Sequence, residues 1–66
     1  MKNNIRVQRA ILNITQAELA EKISVSRQTI NTIEAGKYVP STVLALKLAK
    51  VFRATVDEIF LLEEGD

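Results

Sequence analysis

The 66-residue sequence contains no cysteine and no histidine. Their absence excludes a disulfide, a thiol nucleophile, an imidazole base and a zinc-finger ligand set. Glycine and proline are scarce, with only Gly36, Gly65 and Pro40 present. So few turn residues disfavour a many-stranded sheet and favour helices. No purely apolar run exceeds four residues, as in Ile59–Leu62, against the ~20 that a membrane span needs. No secretory signal pattern opens the chain, so the expectation is a cytoplasmic protein with no membrane partner. The length predicts one domain over residues 1–66 with a marginal core. At that size an enzyme with a cofactor pocket is not expected, nor is a cofactor or a small-molecule ligand. What is present is apolar residues, at 47%, too many for a disordered chain.

The formal net charge of +1 alone argues against nucleic acid as a partner, but its distribution does not. Residues 1–56 hold nine bases against the three acids Glu18, Glu21 and Glu34, a net of +6. Residues 57–66 hold Asp57, Glu58, Glu63, Glu64 and Asp66 and no base, a net of −5. A basic body with an acidic end predicts two surfaces with different partners.

Helix starts recur along the chain. Thr15 with Glu18, and Thr55 with Glu58, have capping-box spacing. Ser26 and Ser41 are further N-cap candidates. The apolar pairs Ile14/Leu19, Val25/Ile30 and Ala54/Ile59 have hydrophobic-staple spacing. With an N-terminal helix these starts predict an all-α fold of five helices, over 3–12, 16–23, 27–35, 42–52 and 56–62, with Gly36 ending the third. The expected core is Ile5, Leu12, Ile14, Leu19, Ala20, Ile23, Val25, Ile30, Ile33, Leu44, Leu48, Phe52, Val56 and Ile59. Only Ser24-Val25-Ser26 separates the second and third helices, which is helix-turn-helix spacing.

On a wheel of 100° per residue, Ile30 and Ile33 turn the third helix inward, and Gln28, Asn31 and Thr32 face out with Arg27 at the tip. No Glu–Lys ladder, the usual filling of a solvated helix, occupies that face. Gln and Asn can pair bidentately with adenine and Arg with guanine, and Thr offers a hydroxyl and a methyl to thymine. Such groups near a helix N-terminus suit a major groove. A polar surface with no ligand is the plainer reading of the same face.

Thr15-Gln16-Ala17-Glu18-Leu19-Ala20, Val25-Ser26-Arg27-Gln28-Thr29-Ile30 and Ile33-Glu34-Ala35-Gly36-Lys37 together resemble the Cro/CI, phage-repressor-like or Xre-like helix-turn-helix family. The likeness continues through Pro40-Ser41, Lys47–Phe52 and Val56–Phe60, covering essentially the whole chain. It implies a five-helix lambda-repressor-like DNA-binding domain, a partner in double-stranded DNA and a homodimer on a palindromic operator.

The same resemblance implies base-reading roles for Arg27, Gln28 and Thr32, with Asn31 at a flanking position where solvation is the alternative. It implies a phosphate clamp for Gln16, reinforced by the partial positive charge of a helix start, where the alternative is a merely tolerated first-turn residue. Thr29, Lys37 and Tyr38 are the other phosphate candidates. For Thr29 the alternative is support of the helix start, and for Tyr38 packing against the body. Arg9 and Glu34 match an ion pair that ties the first helix to the third in some family members. The family usually carries glycine where Asn13 and Ser24 stand. A left-handed backbone there suits Asn but costs Ser ~1–2 kcal/mol.

The expected last helix is apolar on every side at Phe60, Leu61 and Leu62, and Val43, Leu46 and Val51 lie off the fourth helix's inner stripe. That excess predicts a homodimer interface. A helix wedged deeper into its own domain is the competing explanation. The acidic end would then steer away from DNA phosphates, or only keep the apolar end soluble. The functional expectation is a small, non-enzymatic, sequence-specific repressor. Its alternative is a protein-binding adaptor or antitoxin-like partner on the same fold.

Overall fold

The computed structural model describes all residues, 1–66. Its elements run β1 (Lys2–Asn3), α1 (Ile5–Leu12), α2 (Gln16–Lys22), α3 (Arg27–Glu34), α4 (Thr42–Phe52), α5 (Val56–Ile59) and β2 (Phe60–Leu61). Four of the five helices form where the capping residues place them; α1, entered from Asn4, has no side-chain cap. Thr15 Oγ1 accepts from Glu18 N at 3.1 Å, while the Glu18 carboxylate accepts from Thr15 N at 2.9 Å. Ser26 and Ser41 accept from Thr29 N and Leu44 N in the same way. The Glu58 carboxylate accepts from both the N–H and the hydroxyl of Thr55.

Helix ends repeat one device. At α1 the Asn13 N–H reaches Ala10 O and the Ile14 N–H reaches Arg9 O; at α2 Ser24 reaches Glu21 O and Val25 reaches Ala20 O. At α4 Arg53 reaches Lys50 O and Ala54 reaches Ala49 O. These are the paired bonds of a Schellman end, and each needs a left-handed residue. Asn13 (φ 56°), Ser24 (φ 60°) and Arg53 (φ 53°) fill those places without a glycine. In each corner the next residue, Ile14, Val25 or Ala54, packs on the core, and the one after it is the N-cap of the following helix. Each of the three helix–helix corners is therefore built from a left-handed residue, an apolar centre and an N-cap. Only Gly36 (φ 75°) ends a helix with the residue that suits the conformation best.

The core joins Ile5 of α1, Leu19, Ala20 and Ile23 from α2, Ile30 and Ile33 of α3, Leu44, Leu48 and Phe52 of α4, and Ile59 and Phe60. Leu12, expected inside, is 43% exposed, because α1 ends in the left-handed turn just after it. Ile14, Val25 and Val56 pack against the core from half-buried positions.

The chain ends depart from the helical expectation. α5 stops at Ile59, and Phe60 and Leu61 pair antiparallel with Asn3 and Lys2. The first helix correspondingly starts at Ile5, whose N–H donates to the Asn3 side-chain oxygen Oδ1. The reason is the two-residue alternation of a strand: Phe60 is 7% exposed and closes the core, whereas Leu61 faces out. Phe60 is consequently a core residue and not part of a dimer surface, which corrects the expectation from sequence. The ribbon is short, but side chains extend it. Asn4 N–H bonds Ile59 O and Asn4 Nδ2 bonds Glu58 O, and Asn3 Nδ2 donates to Ile33 O near the end of α3. Beyond β2 the Met1 ammonium meets Glu63 and Asp66 at 3.0 and 3.2 Å. No helix is long and apolar enough to cross a membrane.

Candidate nucleic-acid interface

α3 is positioned by burial of Ile30 and Ile33 and by one charged cluster. Arg9 Nε donates to Glu34 Oε2 at 2.6 Å and Arg9 Nη2 to Glu34 Oε1 at 3.0 Å, a two-pronged pair between α1 and α3. Arg9 Nη1 also donates to Ile14 O, tying in the corner before α2. The Glu34 side chain is 3% exposed. Burial opposes its ionisation, but hydrogen bonds from Arg9 and Gln16 and the charges of Arg9 and Arg6 outweigh it and hold its carboxyl below the ordinary 4.5. The hydrogen bond to Glu34 raises the Arg9 guanidinium in turn.

Gln16 joins this cluster. Its Nε2 donates to Glu34 Oε1 at 3.2 Å and to Asn31 Oδ1 at 3.4 Å, so α2 is tied to two turns of α3. Arg6 Nε lies 3.8 Å from Glu34 Oε1, a neighbour that the sequence reading missed. The signal was its spacing: Arg6 and Arg9, three apart, share a face of α1.

Outward, α3 shows Arg27, Gln28 and Asn31 exposed, with Thr29 and Thr32 half-buried beside them. Two shallow clefts meet at Gln28. One is lined by Gln16, Arg27, Gln28 and Asn31, the other by Gln28, Thr29, Thr32, Lys37 and Tyr38. All eight residues singled out for base or phosphate contact thus lie on one continuous surface. The local bonds divide their chemistry. Thr32 donates its hydroxyl to Gln28 O one turn back, at 2.6 Å, so it has no donor left for a ligand. Gln28 Nε2 leans on the Thr32 oxygen at 3.4 Å, which lays the amide along the helix. The Thr29 hydroxyl is bonded to that of Ser26 at 2.9 Å, within the N-cap. Arg27, Lys37 and the second N–H of Gln28 remain free donors. The single carboxylate of α3, Glu34, is buried and paired, so no acid faces out from this helix.

The sequence model of the helix-turn-helix family matches residues 5–59. The chain belongs to the Cro/CI-like helix-turn-helix family. Among its helix-turn-helix relatives is the uncharacterized HTH-type transcriptional regulator MJ0272 of Methanocaldococcus jannaschii, 50% identical over 66 residues and covering the whole of both chains. Another is the uncharacterized HTH-type transcriptional regulator YgzD of Bacillus subtilis, 45% identical over 64 residues, 97% of each chain. Among solved structures, the helix-turn-helix fold superposes on the P22 c2 repressor in complex with a synthetic operator, with a TM-score of 0.77 and 32% identity. That superposition covers 94% of this chain and 89% of the repressor chain.

Proposed function

We propose that residues 1–66 form one helix-turn-helix domain that binds double-stranded DNA sequence-specifically and represses transcription as a cytoplasmic homodimer, with α3 in the major groove. The observation that carries this reading is the α3 surface: free donors and amides at Arg27, Gln28 and Asn31, flanked by Lys37 and Tyr38, with no exposed acid on the helix. An adaptor surface does not need that selection of groups, whereas base edges do. The likeness to an operator-bound repressor supports the same docking.

In this reading Arg27 and Gln28 read bases. Gln28 is held by Thr32 so that its carbonyl and one N–H point along the groove. Thr32 contributes its methyl, since its hydroxyl is spent on the Gln28 carbonyl. Asn31 flanks them through its free amide nitrogen. Lys37 and Tyr38 meet backbone phosphate on one side, and Gln16 meets it on the other by releasing Asn31. Thr29 acts through the N-cap it shares with Ser26. The second subunit reads the symmetric half-site about one helical turn, 34–36 Å, away.

Selection of bound duplexes from a random pool tests this directly. The expected product is a palindromic motif whose half-sites are one turn apart. Recovery of duplexes with no shared motif contradicts sequence-specific binding.

A further inference from the structure

Between the end of α2 and the outer flank of α4 lies a groove of about 520 Å³, lined by Lys22, Ile23, Ser24, Lys47, Lys50 and Val51. Its floor is apolar and its rim carries three lysines, none with a carboxylate within ion-pair distance. It opens at the C-terminal end of α2, whereas the DNA-facing Gln16 stands at the N-terminal end, ~10 Å away at 1.5 Å per residue. The groove is therefore not an extension of the α3 surface. One turn before Lys47 on α4, Val43 is exposed.

The complementary segment is on the same chain. Leu61 and Leu62 are exposed, Leu62 to 83%, and Glu63 and Glu64 follow them. This apolar-then-acidic run matches an apolar floor with a basic rim. The chain's own tail does not fill its own groove. Glu63 and Asp66 are held by Met1, beside Ala35 and Gly36 at the far end of α3.

We infer that the lysine-rimmed groove of each subunit receives Leu61–Glu64 of a second copy. A two-fold dimer uses both patches twice, so each half of the contact is matched by its mate. This assignment rests on the homodimer of the proposed function and names the surfaces that form it. It also gives the division into a +6 body and a −5 end a use: the opposed charges meet between subunits.

The test is analytical ultracentrifugation of the full chain, with variants K47E/K50E and E63K/E64K. Each variant alone sets like charges against each other in both halves of the dimer and is expected to raise the dimer Kd by ~10-fold or more. A one-to-one mixture of the two should dimerise again, because both contacts are then between opposite charges. Thermal melts establish that the variants fold. Leu62→Ser, at the exposed apolar position, gives a second route should either charge variant fail to fold, and it too should raise the dimer Kd. A wild-type monomer at tens of micromolar overturns the homodimer and this assignment together. A wild-type dimer with variants that dimerise as tightly, or a mixture no tighter than its parts, overturns the assignment alone. Unchanged dimerisation of K47E/K50E with weaker binding to every duplex assigns the groove to phosphate instead, and likewise overturns it.

Discussion

At the scale of single residues, the protein holds backbone strain at its corners and one buried charge between helices. Ser24 adopts φ 60° in the turn between α2 and α3. Removing its Cβ relieves the left-handed penalty. Ser24→Gly should therefore stabilise the fold by ~1 kcal/mol and raise Tm by ~4–8 °C in calorimetry. The turn was legible in the sequence, as was the Ser24 departure from the family's glycine. Arg53 at φ 53° was not, because nothing in a Phe-Arg-Ala run marks a left-handed residue. The Glu34 cluster makes stability depend on pH. A carboxyl held below its ordinary value contributes stability that is complete above the unfolded value and is lost as pH falls through the folded one. Tm should fall as pH drops below about 4.5. Glu34→Gln should weaken that dependence, leaving the part due to Glu18 and Glu58, held low by hydrogen bonds from Thr15 and Thr55, and to Asp66, held low by the Glu63 N–H and the Met1 ammonium. Arg9→Ala, which leaves Glu34 buried without its main partner, should cost ~3 kcal/mol in denaturant unfolding. An unchanged midpoint would contradict the role of the pair.

At the scale of elements, the four internal helix starts were readable because each is written in adjacent residues: a Ser or Thr with an apolar residue before it, and at Thr15 and Thr55 a carboxylate three on. The C-terminal ribbon was not, because Ile59-Phe60-Leu61-Leu62 is apolar at every position and carries no period. Only pairing with Lys2 and Asn3, some 58 residues away in sequence, decides that Phe60 points in and Leu61 out. Phe60→Ala should open a cavity in the core and cost ~3–5 kcal/mol, measured by urea unfolding, whereas Leu62→Ala should leave monomer stability within ~0.5 kcal/mol. On α3 the exposed residue types were legible from the wheel. Their bonding was not: that Thr32 spends its hydroxyl on the Gln28 carbonyl, and that Gln16 bridges Asn31 and Glu34, depends on rotamers and on the packing of α2 against α3.

At the scale of the whole molecule, a net charge of +1 conceals the opposition of body and tail. A DNA-facing basic body predicts affinity that falls steeply with log salt, by a slope of about −0.9 for each phosphate neutralised. Lys37→Ala should reduce that slope by about 1 and weaken all duplexes alike. The most direct measurement is an equilibrium titration of wild type and Gln28→Ala, at one fixed salt concentration, against the selected duplex and its single-base-pair variants. Gln28→Ala should lose ~1–3 kcal/mol on the selected site and no longer discriminate at one base position, while binding to non-specific DNA is unchanged. Equal loss on every duplex would contradict base reading by α3, and no loss on any would remove Gln28 from the interface.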